Sequence, residues 1–126
     1  VGWTIANQAF TVTPGAEEKF AEVVQEWEDM YIEAARDDDF VGVQSYTSQP
    51  IDENGVVPHP EDPNNTLMGW AYRPDALAIA LRHTKDVVGD VPLIVTENGI
   101  ATGDDERRIE YTTGALNGVL DALDDG

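Results

Sequence analysis

The stretch Pro92-Leu93-Ile94-Val95-Thr96-Glu97-Asn98-Gly99 decides how the rest of the chain is read. Its apolar run, Leu93 to Val95, ends abruptly in a carboxylate, an amide and a glycine. A short apolar run bounded by turn formers reads as a buried strand of a parallel sheet. The carboxyl ends of such strands are where α/β folds assemble their sites. A carboxylate there is held by a rigid element and partly desolvated, which suits a nucleophile or a general base. The same local pattern equally fits a Glu97 that caps a loop or pairs with an arginine.

Working outward, two more runs read as strands. Val1 to Ala6 alternates bulky and small β-formers, with Asn7 at its carboxyl end and a loop through Ala9-Phe10-Thr11-Val12. Phe40-Val41-Gly42-Val43 is the second, followed by Gln44-Ser45-Tyr46-Thr47. Between them Thr13-Pro14 opens a helix, with Glu17 and Glu18 favourable to its dipole. Phe20, Val23, Val24, Trp27, Tyr31 and Ala34 form one apolar stripe, and the helix should end near Arg36. Ser48 to Gly69 carries four prolines and no periodicity, which predicts a long loop. Arg73-Pro74 starts a second helix with Leu77, Ala80, Leu81, Thr84 and Val88 buried and Gly89 at its stop. Asp104, Asp105 and Glu106 start a third, with Ile109, Leu116, Val119, Leu120 and Leu123 on its inner face. Gly114 and Gly118 weaken that helix by about 1 kcal/mol each relative to alanine.

The order is therefore βαβαβα, an α/β chain of three parallel βα units, residues 1–38, 39–90 and 91–126, joined by right-handed crossovers. Asn7, Gln44, Tyr46 and Glu97 each fall just after a strand, so a parallel sheet gathers them on one face. That convergence favours a site over a structural role for Glu97.

Composition narrows the partners. Twenty-five acids against seven Lys and Arg give a net charge of −18, which repels nucleic acid phosphates and anionic lipid. Two lysines, Lys19 and Lys85, in so acidic a chain fit a salt-adapted cytoplasm, where screening weakens self-repulsion. No membrane span or export signal is expected. There is no cysteine for disulfides or thiolate metal sites. Asn64-Asn65-Thr66 matches a glycosylation sequon, a weak signal without a secretory context.

Thr96-Glu97-Asn98-Gly99 after its strand, preceded by Trp70-Ala71-Tyr72-Arg73-Pro74 and a helix, resembles glycoside hydrolase family 1, the β-glucosidases and related retaining β-glycosidases on a (β/α)8 barrel. Asp39-Phe40-Val41-Gly42-Val43-Gln44-Ser45-Tyr46-Thr47 resembles that family's sixth strand. Val1 to Asn7 resembles its fifth, and Arg108-Ile109-Glu110-Tyr111 with Leu116 the helix after the nucleophile strand. The resemblance implies a partial barrel and a retaining glycosidase that cleaves terminal β-glycosidic bonds of a β-glucoside or related small saccharide. It implies Glu97 as nucleophile, Tyr46 as the residue that orients it, and Asn7, Gln44 and Asn98 at the sugar subsite. No cofactor or metal is implied. Gln44 and Ser45 depart from the family's usual Asn and Tyr. The family's acid/base glutamate lies in an Asn-Glu-Pro motif on the fourth strand, and this chain has no such motif.

A retaining glycosidase needs two carboxyl groups about 5 to 5.5 Å apart. Within the chain Glu53 and Glu61, on the loop after the second strand, are the candidates for the second, beside Asp52, Asp62 and the Asp104–Glu106 acids; a carboxylate of another chain is the alternative. Three strands leave the inner face and both edges of the sheet uncovered, so completion by self-association into a homo-oligomer is expected. The competing reading is a non-catalytic barrel fragment or self-assembling scaffold.

Overall fold

Along the chain the elements run β1 (Trp3–Ala6), β2 (Ala9–Val12), α1 (Glu17–Val24), a π-helical turn (Gln25–Asp29), α2 (Met30–Ala34) and β3 (Val41–Gln44). They continue with β4 (Ser48–Asp52), β5 (Gly55–Val56), α3 (Ala76–Val88), β6 (Leu93–Glu97) and α4 (Asp105–Asp124). The structure is a computed structural model that describes residues 1–126.

The three expected strands form one parallel sheet in the order β1-β3-β6. Alternation along β1 and β3 sends Ile5, Val41 and Val43 to one face, where the helices cover them. Val43 packs with Leu77, Ala80, Leu81, Tyr111 and Ala115, and Ile5 and Val41 pack with Ile32, Ala35 and Val88. On the other face the hydroxyls of Thr4 and Thr96 meet 2.5 Å apart above Gly42. A Cβ at position 42 would lie 2.6 Å from the Thr4 oxygen and 3.0 Å from Thr96 Cγ2. Gly42→Ala is therefore expected to cost about 1–3 kcal/mol, read as a lower midpoint in urea unfolding; an unchanged midpoint would refute the close approach.

The expected helix faces hold in part. Leu77, Ala80, Leu81, Thr84 and Val88 of α3 are all buried, and Gly89 ends the helix with φ +75°. The stripe of the first helix is displaced. Trp27, Tyr31 and Ala34 face solvent, while Glu28, Ile32 and Ala35 are buried in their stead. The π-helical turn is the reason: its wider turn shifts everything after Val24 by one position. On α4, Ile109, Leu116, Leu120 and Leu123 are exposed, and Tyr111 and Ala115 are the buried pair. This helix meets α3 through small residues. A Cβ at Gly114 would sit 2.9 Å from Pro74 Cβ, and one at Gly118 3.0 Å from Ala78 Cβ. Closeness of approach, not a leucine stripe, selects the buried side.

The purely parallel βαβαβα order needs correction as well. The segments read as loops contain a second sheet, with β2 parallel to β4 and β4 antiparallel to β5. β2 and β4 continue the chain beyond β1 and β3, after links tied by Asn7 N–H to Gln44 O at 2.7 Å and Ala9 N–H to Thr47 O at 3.2 Å. Pro50 inside β4 lacks an amide donor, which disguises the strand. The main sheet is not closed: β1 and β6 are its edges, with Trp3 and Ile94 nearly half exposed.

Candidate active site

Glu97 owes its direction to an irregularity. Val43 lies opposite Val95, but Gln44 lies opposite Glu97, so Thr96 is an extra residue in the ladder. Strict alternation would have set Thr96 against Gln44 and turned Glu97 toward the helix side. The bulge instead brings the carboxylate to the side of Thr4 and Gly42.

There the Tyr46 hydroxyl donates to Glu97 Oε2. Burial of the phenol, reinforced by the hydrogen bond to Glu97 and its negative charge, pushes the Tyr46 hydroxyl up to about 12. It stays a donor throughout the neutral range. The loop after β3 is fixed from below. Tyr111, wholly buried, donates to the Tyr46 carbonyl at 2.6 Å. Asn98 Nδ2 donates to Ser45 O at 2.8 Å and to the Tyr111 hydroxyl at 3.4 Å. Ser45 N–H donates to Glu97 O at 3.2 Å, which completes the tie between the ends of β3 and β6. Trp70 flanks the pair, its ring 6.3 Å from that of Tyr46. The Thr47 hydroxyl anchors the adjoining loop to Ala71 O at 2.7 Å.

The other expected site residues are placed differently from one another. Gln44 is half-buried opposite Glu97 and makes no side-chain hydrogen bond. Asn7 is fully buried, its amide on Thr84 Oγ1 of α3 at 3.0 Å. Asn98 serves the framework just described. Glu53 is exposed in the β4–β5 turn and Glu61 is exposed on the following loop; neither hydrogen-bonds to Tyr46 or Glu97. Asp104 caps α4 by accepting from the amides of Glu106 and Arg107. No group of three His, Cys, Asp or Glu side chains is arranged to hold a metal. A cleft of about 690 Å³, walled by Asp62, Asn65, Tyr72, Glu106, Arg107 and Glu110, lies to one side and does not include Glu97. Glu97 itself stands exposed on an edge strand.

The profile of the family described as Glycosyl hydrolase family 1 matches residues 17–126. The chain belongs to that family. As a family 1 chain it is 30% identical over 110 residues to Beta-glucosidase 2 of Oryza sativa subsp. japonica, an alignment that covers 70% of this chain and 22% of that protein. It is 36% identical over 75 residues to a bifunctional beta-D-glucosidase/beta-D-fucosidase of Bifidobacterium breve, covering 49% of this chain and 16% of that one. Among solved structures, beta-glycosidase BGL167 superposes on the whole chain with a TM-score of 0.91 at 41% identity, over 30% of its own length. A beta-glycosidase from Pyrococcus horikoshii does so with a TM-score of 0.79 at 25% identity, over 36% of its length. The chain thus spans roughly a fifth of these curated family 1 relatives and about a third of the solved structures. No helix is long and apolar enough to cross a membrane.

Two features of this candidate site were missed in the sequence. The bulge depends on the pairing register, which no local pattern encodes. Tyr111 lies in an acidic, amphipathic helix start, and only the contact with the Tyr46 carbonyl gives it meaning.

Proposed function

We propose that this chain carries the nucleophile side of a retaining β-glycosidase site acting on β-glucosides or related small saccharides, from the fifth to seventh strands of a family 1 barrel. The observation that carries the reading is the hydrogen bond from Tyr46 to Glu97 across the carboxyl ends of neighbouring parallel strands. Glu97 attacks the anomeric carbon, the bond to the leaving oxygen breaks, and a glycosyl ester forms that water later hydrolyses. Tyr46 holds the carboxylate aligned. Gln44, with its amide unengaged, faces the sugar, and Trp70 offers a stacking surface. Asn7 shapes the subsite from behind, through the end of β1, and Asn98 through the strand ends it joins.

The acid/base carboxyl is assigned to whatever packs over the open face of the sheet, a second copy of the chain or further polypeptide, with Glu53 and Glu61 the candidates within these residues. A glucoside with an activated aryl leaving group needs no acid for the first step, while hydrolysis of the ester without a base is slow, so this chain by itself is expected to release the aryl group in a burst of about one equivalent per site. Absence of any aryl release would support the second reading, a non-catalytic scaffold, which the exposure of Glu97 on an edge strand favours.

The charge of −18 is what supports reading this as a protein of a salt-adapted cytoplasm. Raising NaCl from about 0.01 to 1 M shortens the screening length from about 30 to 3 Å, and Tm is expected to rise. A flat or falling Tm would contradict the salt reading.

A further inference from the structure

On the helix side of the sheet, Glu28 and Thr84, which the proposed chemistry leaves unused, form a buried polar group with Asn7, each at most 1% exposed. The Thr84 hydroxyl donates to Ala80 O at 2.8 Å, so its oxygen is the acceptor for Asn7 Nδ2 at 3.0 Å. That fixes the amide: Nδ2 points to Thr84, and Oδ1 is left buried without a donor. Glu28 has the same deficiency. Its Oε1 accepts from the Gln8 amide, while Oε2 is buried with no partner. The Gln8 amide that Glu28 accepts belongs to the residue after Asn7, so both unpartnered oxygens lie at the same junction. Two buried acceptors without donors are costly, and a proton on one of them relieves both. The π-helical turn reinforces the point, since it is this distortion that turns Glu28 inward in place of Trp27.

We infer that Glu28 is a protonated acid in the folded chain, its hydroxyl donating to Asn7 Oδ1, and that this bond is a pH-sensitive latch between the π-helical turn and the end of β1. Burial is the main force, pushing the Glu28 carboxyl up to about 7 against the Gln8 amide and the His83 charge, with Asp29 adding to the rise and the Asn7 amide opposing it. The charged groups around it are Asp29 on its own helical stretch and His83 on α3, whose Nε2 lies 2.5 Å from Asp29 Oδ1. The β1–β2 junction presents only the uncharged Asn7 and Gln8. The latch reaches the strand ends because Asn7 N–H donates to the carbonyl of Gln44, the residue opposite Glu97.

The sign follows from a folded value above the unfolded one. Between 4.5 and about 7 the folded chain holds a proton that the unfolded chain has released. The stabilisation is complete below pH 4.5 and is lost as pH rises through 7. From pH 5.5 to 8 the unfolding constant of the unaltered chain is expected to rise about 30-fold from this group alone. Glu28→Gln, whose amide can donate to Asn7 at every pH, should remove that rise. Carboxyl-carbon NMR of the unaltered chain should show Glu28 titrating near 7, a readout that survives even if the variant fails to fold. Titration of Glu28 in the ordinary carboxylate range, or an equal pH dependence in the Gln variant, would overturn the inference.

Discussion

Glu97→Gln is expected to lower covalent capture of an activated 2-deoxy-2-fluoro-β-glucoside by about 1,000-fold or more, to the background of the reagent. The substituted sugar slows both steps of a retaining mechanism, while its activated leaving group departs without a proton donor. Capture therefore reports the nucleophile alone, which suits a site whose only positioned carboxylate is Glu97. The substitution is nearly isosteric, and the Tyr46 hydroxyl can still donate to the remaining carbonyl oxygen. Stability should move by no more than about 0.5 kcal/mol, as for an exposed position. Loss of capture with an unchanged unfolding curve separates a chemical role from a structural one. Capture at the original rate in the variant would remove Glu97 from the mechanism.

Tyr46→Phe is expected to slow capture by about 10- to 100-fold while leaving the labelled residue the same. A hydrogen bond to a charged group is worth about 1.5–3 kcal/mol, and here its acceptor is the attacking carboxylate. The phenyl ring keeps the contact with Trp70, and the Tyr46 carbonyl keeps its bond to Tyr111, so the loop should hold its shape. The loss should fall on the rate of attack and not on saturation by the sugar. Equal rates for Phe and Tyr would mean that the hydroxyl positions nothing.

The three strands of the main sheet and α3 were legible because their signals are local. Leu93 to Val95 and Val41 to Val43 are short apolar runs, and Leu77 to Val88 keeps one helical period up to a glycine stop. Where the deciding force is a contact between distant residues, the pattern misled. α4 shows more leucine on its exposed side than on its buried one, because Gly114 and Gly118 allow α3 to come close. The first helix changes register at a π-helical turn that carries a carboxylate inward, a residue that any hydropathy reading sends outward. The second sheet hides a proline in a strand and joins segments far apart in sequence. At the site, Glu97 and Tyr46 were readable as residues after strands. The bulge that lets them meet was not.

The most direct test of the central claim is to digest the sugar-labelled protein and locate the adduct by tandem mass spectrometry. The expected result is a single glycosyl ester on Glu97, within the peptide that spans Pro92 to Gly99. An adduct on Glu53, Glu61 or any other carboxylate, or no adduct at saturating reagent, would contradict it.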